Sequence, residues 1–260
     1  MDFNFTDEQE LFRKSVRDFV SKEVAPVAAE IDKAGEFPRA LFQRCAENGY
    51  FALRYPEAIG GMGADFITFC LMAEEIARGS LSLAVSVSMQ CLMGTDFIFR
   101  FGTDDHKQRL LQPALRGEKI GGIAMTEPDF GSDLGNITTN ALPTADGWVI
   151  SGRKMWITSA TIADFFTVAA KTDPEAGFKG VDLFLVEKDM SGVTVGRHIE
   201  KLGVRASETS ELILEDVHVP AENLLGEKGT GFRNLGGTLA DIRTMTGALA
   251  LGLGQAALDA

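Results

Sequence analysis

The sequence predicts an α+β fold: an all-α domain over residues 1–117, an antiparallel sheet domain over 118–228, and helix again over 229–260. Three observations carry this reading. Apolar residues recur at spacings of three and four up to Gly117, the mark of helices with one buried face. At Lys119 the period changes to two, that of a half-buried strand. From Gly231 the helical spacing returns and continues to Ala260.

Thr6-Asp7-Glu8-Gln9 is a capping box, followed by Leu11, Phe12, Val16, Phe19 and Val20 on one helical face. Pro38, with its preset φ, opens a second helix that ends before Gly49. The run Pro56-Glu57-Ala58-Ile59-Gly60-Gly61-Met62-Gly63 is a loop, after which Asp65 caps a third helix reaching about Arg78. One long apolar helix is expected from Ser80 to Gly102, and Asp104 is expected to cap another that closes near Gly117. In the sheet domain, Asn140–Gly152 reads as a hairpin with an Asp146-Gly147 turn. Phe165–Ala169, Leu183–Val186, Val193–Val195 and Leu212–Val219 read as further strands. The last helix carries an apolar stripe of Leu235, Leu239, Ile242, Met245, Leu249 and Leu253, a surface expected to need a partner.

A chain of 260 residues has ample core for one large or two ordinary domains. Its 45% hydrophobic and 24% charged content is that of a soluble globular protein. The net charge of −12 leaves no basic surplus for phosphates, which argues against nucleic acid and requires any polyanion site to be locally basic. Cys45, Cys70 and Cys91 are odd in number, lack metal spacing and sit in helical patterns, which points to free thiols in a reducing compartment. Met1-Asp2-Phe3-Asn4-Phe5 lacks the basic region and apolar run of a signal peptide. Leu81 to Phe99 contains Gln90, Asp96 and several serines and reads as too polar for a membrane span. A cytoplasmic location follows as an expectation.

Two stretches carry the chemistry. The apolar approach Gly121-Gly122-Ile123-Ala124-Met125 reads as a buried strand delivering Thr126, Glu127, Pro128, Asp129, Phe130, Gly131, Ser132 and Asp133. Gly131 permits close backbone approach. Downstream, Lys154-Met155-Trp156-Ile157-Thr158 puts Trp156 and Thr158 two apart, on one face of a regular strand. A flat aromatic beside hydroxyls and free backbone N–H groups suits a planar heteroaromatic ring edged with hydrogen-bonding atoms, such as a flavin.

These stretches resemble the flavin-binding signatures of the acyl-CoA dehydrogenase family. The resemblance extends through Lys201-Leu202-Gly203-Val204-Arg205-Ala206-Ser207, Glu215-Asp216-Val217-His218-Val219-Pro220 and Ala248-Leu249-Ala250-Leu251-Gly252. It implies a barrel-like middle domain binding flavin and acyl-CoA, with 229–260 as the first helix of a C-terminal helical bundle of which the rest is missing. It also implies FAD as cofactor, with Ile123, Ala124, Met125, Thr126, Gly131, Ser132, Trp156, Ile157 and Thr158 around it. Thr126 and Thr158 would bond the ring near N5, and Trp156 would pack on its face. Ser132 would reach the pyrophosphate and pantetheine region, with Asp241 and Arg243 near the acyl-CoA end. Glu127 is read as structural, and the family's base is expected beyond Ala260, because Ile242 fills the alternative base position. His198 and His218 are read as ordinary residues without carboxylate or serine partners in a recognisable arrangement.

The implied activity is α,β-desaturation of an acyl-CoA thioester, with hydride passing to flavin N5 and electrons to an electron-transfer flavoprotein. The implied assembly is a homotetramer or homodimer. Two other functions keep the same residues: a base-less remnant that binds flavin or acyl-CoA without turnover, and an acyl-CoA oxidase or flavin monooxygenase on the same fold.

Overall fold

Thr6 opens the first helix as its sequence requires: its hydroxyl accepts from Gln9 N at 3.2 Å while Gln9 Oε1 accepts from Thr6 N at 3.1 Å. The computed structural model describes residues 3–260, so Met1 and Asp2 of the stretch read for targeting lie outside it. The chain forms two compact units: Met1–Ser88 with Lys201–Ser207 and Asp241–Ala260, and Met89–Glu200 with Glu208–Ala240. The units do not follow chain order. Residues 89–117, helical as expected, group with the sheet.

In the first unit, α1 (Asp7–Phe19) is followed by α2 (Ala28–Ala34), α3 (Arg39–Glu47) and α4 (Phe66–Gly79). Asp65 caps α4 through Thr68 N at 2.8 Å. α1 packs on α4, with Val16, Phe19, Phe69 and Met72 buried between the helices of this unit. Phe42 and Phe51, with ring centroids 4.6 Å apart, fill its other side. Glu75 lies buried among Arg13 and Arg17, whose guanidinium groups reach it at 2.8 and 2.5 Å. Burial opposes its charge, but these arginines hold the carboxyl below its ordinary range.

The expected helix from Ser80 to Gly102 is interrupted. α5 (Leu81–Met89) passes into a π-helical turn, Gln90–Gly94, before α6 (Asp96–Phe101). The widened turn is stabilised by side chains: Thr95 Oγ1 donates to Gln90 O at 2.8 Å. Gln90 itself donates to Ala114 O and Lys119 O and accepts from Gly121 N at 3.0 Å. Leu81–Phe101 is in fact long and apolar enough to cross a membrane, so polarity is not what marks it as a core helix; 83% of the relevant stretch is buried within the protein. Next come α7 (Asp104–His106), a π turn at Lys107–Leu111, and α8 (Gln112–Leu115). The cap here is Thr103, not Asp104. Its hydroxyl accepts from His106 N at 3.2 Å, and the imidazole answers at Thr103 N in place of the usual Glu or Gln.

Seven strands make one sheet: β1 (Gly121–Ala124), β2 (Asn140–Pro143), β3 (Gly147–Thr158), β4 (Phe165–Lys171), β5 (Val181–Glu187), β6 (Val193–Val195) and β7 (Thr209–Pro220). Most pairings are antiparallel, but β1 runs parallel to β4, Gly121 opposite Phe165 through Ala124 opposite Val168. The sheet is therefore mixed. The sequence does not show this, because a short buried strand has the same apolar pattern in either direction. Gly147 opens β3 at the expected hairpin. It serves close packing, since a Cβ there would stand 2.2 Å from Val219 O.

α9 (Gly231–Asp259) completes the fold. Its apolar stripe is not left waiting for a partner. Leu235, Met245 and Leu249 are buried, Leu239 and Ile242 half-buried, and of the six only Leu253 is exposed, at 48%. Gly252 allows this: a Cβ would lie 2.0 Å from Glu74 O of α4, so the helices of this unit meet backbone to backbone. Arg54 reaches Asp241 at 2.9 Å and Arg78 pairs with Asp259.

Candidate functional site

Strand β1 ends at Ala124, and the chain leaves the sheet as Met125-Thr126-Glu127. Ile123 and Ala124 are buried, facing Thr167 and Val168 across the parallel pair. Strand β3 arrives from the other direction with Lys154, Met155 and Trp156. Met155 N donates to Thr126 O at 2.8 Å, which joins the two motifs directly. Lys154, with none of its side chain exposed, donates to Met125 O at 3.1 Å and to Glu127 Oε1 at 2.9 Å.

Between Lys154 and Ile157, β3 carries one residue more than β7, whose partners there are Leu212 and Ser210. The surplus makes a β-bulge, and Trp156 stands in it with φ +62°. A bulky side chain in the left-handed region is strained. The bulge also resets the strand's alternation, so that Lys154 and Ile157, three apart, are both buried. Trp156 is turned out, 56% exposed, Ile157 is buried, and Thr158 is half-buried. An indole that is neither core nor in relaxed backbone points to a ligand.

Thr126 is half-buried, while Gly131 and Ser132 are exposed on the following loop. Among the described residues, the hydroxyls of Thr126, Ser132 and Thr158 make no hydrogen bond within the protein. At Gly131 an added Cβ would meet only Thr126 Cγ2, at 3.8 Å, so the backbone is open to close approach. A planar ring with a polar edge fits this set: one exposed aromatic face, three uncommitted hydroxyls and an open glycine. Asp241 and Arg243 belong to the other unit, where Asp241 pairs with Arg54 and Arg243 is exposed.

Glu127 is held by four donors: Thr138 N at 2.6 Å, Thr138 Oγ1 at 2.7 Å, Thr139 N at 2.9 Å and the Lys154 ammonium. Burial works against its charge, but the ammonium and these donors outweigh it and bring the carboxyl down to about 2. A group so held is a poor proton acceptor, in keeping with its structural reading. Burial lowers Lys154 to about 8, with Glu127 opposing the shift.

Sequence reading passed over Lys154. Its signal was its place on the face of buried Ile150, because a lysine on a core-facing position is almost never without an anionic partner. His198 was also misjudged. Its Nδ1 lies 2.8 Å from Glu208 Oε2, which Thr161 Oγ1 approaches at 2.9 Å. The loop between them gives no local sign of this pairing.

A family model described as acyl-CoA dehydrogenase, N-terminal domain, matches residues 6–118, and one for the middle domain matches residues 122–217. The chain is 51% identical to benzylmalonyl-CoA dehydrogenase of Aromatoleum aromaticum over 261 residues, which is all of this chain and 68% of that protein. Its fold matches that of glutaryl-coenzyme A dehydrogenase in complex with glutaryl-CoA with a TM-score of 0.95 at 38% identity, covering 100% of this chain and 66% of the other. It also matches PigA, solved with FAD and proline, with a TM-score of 0.93 at 29% identity, covering 97% and 67%. The chain belongs to the acyl-CoA dehydrogenase family, whose members are oxidoreductases. It spans about two thirds of the length of these relatives.

Proposed function

We propose that this protein is an FAD-dependent acyl-CoA dehydrogenase acting on an acyl-CoA thioester and delivering electrons to an electron-transfer flavoprotein. One observation carries the reading: the Met155–Thr126 bond joins the two motifs and leaves uncommitted hydroxyls beside an exposed, strained Trp156. FAD in the solved PigA and CoA thioesters in the names of the other relatives support it. When bound, FAD supplies the acceptor for the hydride lost from the β-carbon.

The chain's own residues then have distinct tasks. Thr126 and Thr158 offer hydrogen bonds to the polar edge of the ring, which stabilise electron density arriving there. Trp156 covers ring surface and keeps water away. Ile123, Ala124, Met125 and Ile157 form the apolar support beneath the motifs. Gly131 and Ser132 face the pyrophosphate and pantetheine, and Asp241 and Arg243 serve the acyl-CoA end. Glu127 is not the base, since its oxygens are committed. Assignment of 1–117, 118–228 and 229–260 to the family's successive domains, a cytoplasmic location and a homo-oligomeric state belong to the same proposal.

The test is release of bound cofactor from purified protein by denaturation, with identification of FAD and of any CoA thioester. FAD near one per chain is expected. In the Thr158→Val variant, the absorbance of bound flavin should shift and its reduction slow, with a loss of about 1–3 kcal/mol from an unsatisfied partner in a dry site. Protein that neither carries FAD nor takes it up at micromolar concentration would refute the assignment.

A further inference from the structure

The Lys154–Glu127 pair touches no part of the flavin in the reading above, yet it lies wholly inside the protein between the two motifs. Burying a lysine is costly, and two packed apolar side chains would cost less. Something other than packing therefore accounts for it.

The hydrogen bonds show what. Met125 O accepts from Lys154, Thr126 O accepts from Met155 N, and Glu127 N donates to Phe130 O at 2.8 Å. The Glu127 carboxylate is taken up by Lys154, Thr138 and Thr139. These polar groups around Thr126 are thus spent on the protein, while its hydroxyl is left over. On the other strand, Lys154 is followed at once by Met155 and by the bulge that turns Trp156 outward. One ammonium therefore sets both segments against each other. An apolar pair could fill the volume but could not supply the directional bond to Met125 O.

We propose that Lys154, acting through Met125 O and Glu127, is a positioning residue that fixes Thr126 and the Trp156 bulge in a single register for the flavin. The inference rests on the FAD reading above. A purely structural ion pair and a positioning pair differ in one variant, Lys154→Met/Glu127→Gln. That variant removes both charges and so relieves the unpaired-charge penalty, but it does not restore the bond to Met125 O.

The measurements are the thermal midpoint, FAD dissociation constant and bound-flavin spectrum of the wild type, Lys154→Met and the double variant. Lys154→Met should lose stability, and the double variant should regain most of it. FAD affinity in the double variant should stay at least tenfold weaker than wild type, with shifted absorbance maxima. A double variant with wild-type affinity and spectrum would overturn the proposal. A flavin-free measurement separates this from the FAD reading: in a Trp148→Phe background, Trp156 is the remaining indole of the two in the chain. If the wild type binds no FAD, the FAD reading falls, and a shifted Trp156 emission in the double variant still supports the register. Unchanged emission overturns it.

Discussion

Replacing Glu127 by glutamine should change how the protein's stability depends on acid. The carboxyl sits at about 2 in the folded protein against an ordinary value of 4.5. A depressed carboxyl contributes stability that is fully present above its unfolded value and disappears as pH falls through its folded value. Here that window runs from about pH 4.5 to about 2. The shift corresponds to about 3 kcal/mol. The neutral amide of the Glu127→Gln variant would leave the buried Lys154 ammonium without its counter-charge, a loss of about 3–5 kcal/mol at neutral pH. Urea midpoints of both proteins at pH 7, 5, 4 and 3 should show a wide gap that narrows on acidification. Lys154 shifts stability in the same direction with pH, in a separate and more alkaline window. Its folded value of about 8 lies below the ordinary 10.5, so between these the unfolded chain holds the extra proton and this group's contribution rises with pH. A Glu127→Gln gap that stays constant from pH 7 to pH 3 would refute the reasoning.

Two further substitutions probe the scaffold. Gly252→Ala puts a methyl group 2.0 Å from Glu74 O, where backbone cannot yield, and should lower the thermal midpoint by the equivalent of about 2–3 kcal/mol. Gly254→Ala, with open space around it, should be neutral or stabilise by up to about 1 kcal/mol, and the pair measured together checks that contact decides the sign. Asp182, fully buried, accepts from Gly229 N at 2.8 Å, Gly231 N at 3.1 Å and Thr172 Oγ1 at 2.7 Å just ahead of α9. Asp182→Ala should cost about 3 kcal/mol, and exchange of the Gly229 and Gly231 amides should accelerate more than that of the β4 core.

The sequence by itself determined what depends on neighbours along the chain. The Thr6–Gln9 box, the Asp65 cap and the changes of period at Lys119 and Gly231 all use contacts within a few residues, so each could be read directly. The motifs around Thr126 and Thr158 were legible for the same reason, as compact runs of a particular chemistry. Tertiary structure alone decided the rest. A short apolar run marked β1 as a buried strand, but only the sheet gave it β4 as a parallel partner. A regular strand would put Lys154 and Ile157 on opposite faces, whereas the extra residue of the bulge buries both and gives Trp156 its left-handed backbone. Glu127 and Lys154 stand 27 residues apart, His198 and Glu208 10, and Gly252 meets α4 from the far end of the chain. An apolar period says which face is buried and not what covers it. Partners across the sheet, and between α9 and α4, are chosen when strands and helices assemble, and that choice leaves no local mark on the residues that make it.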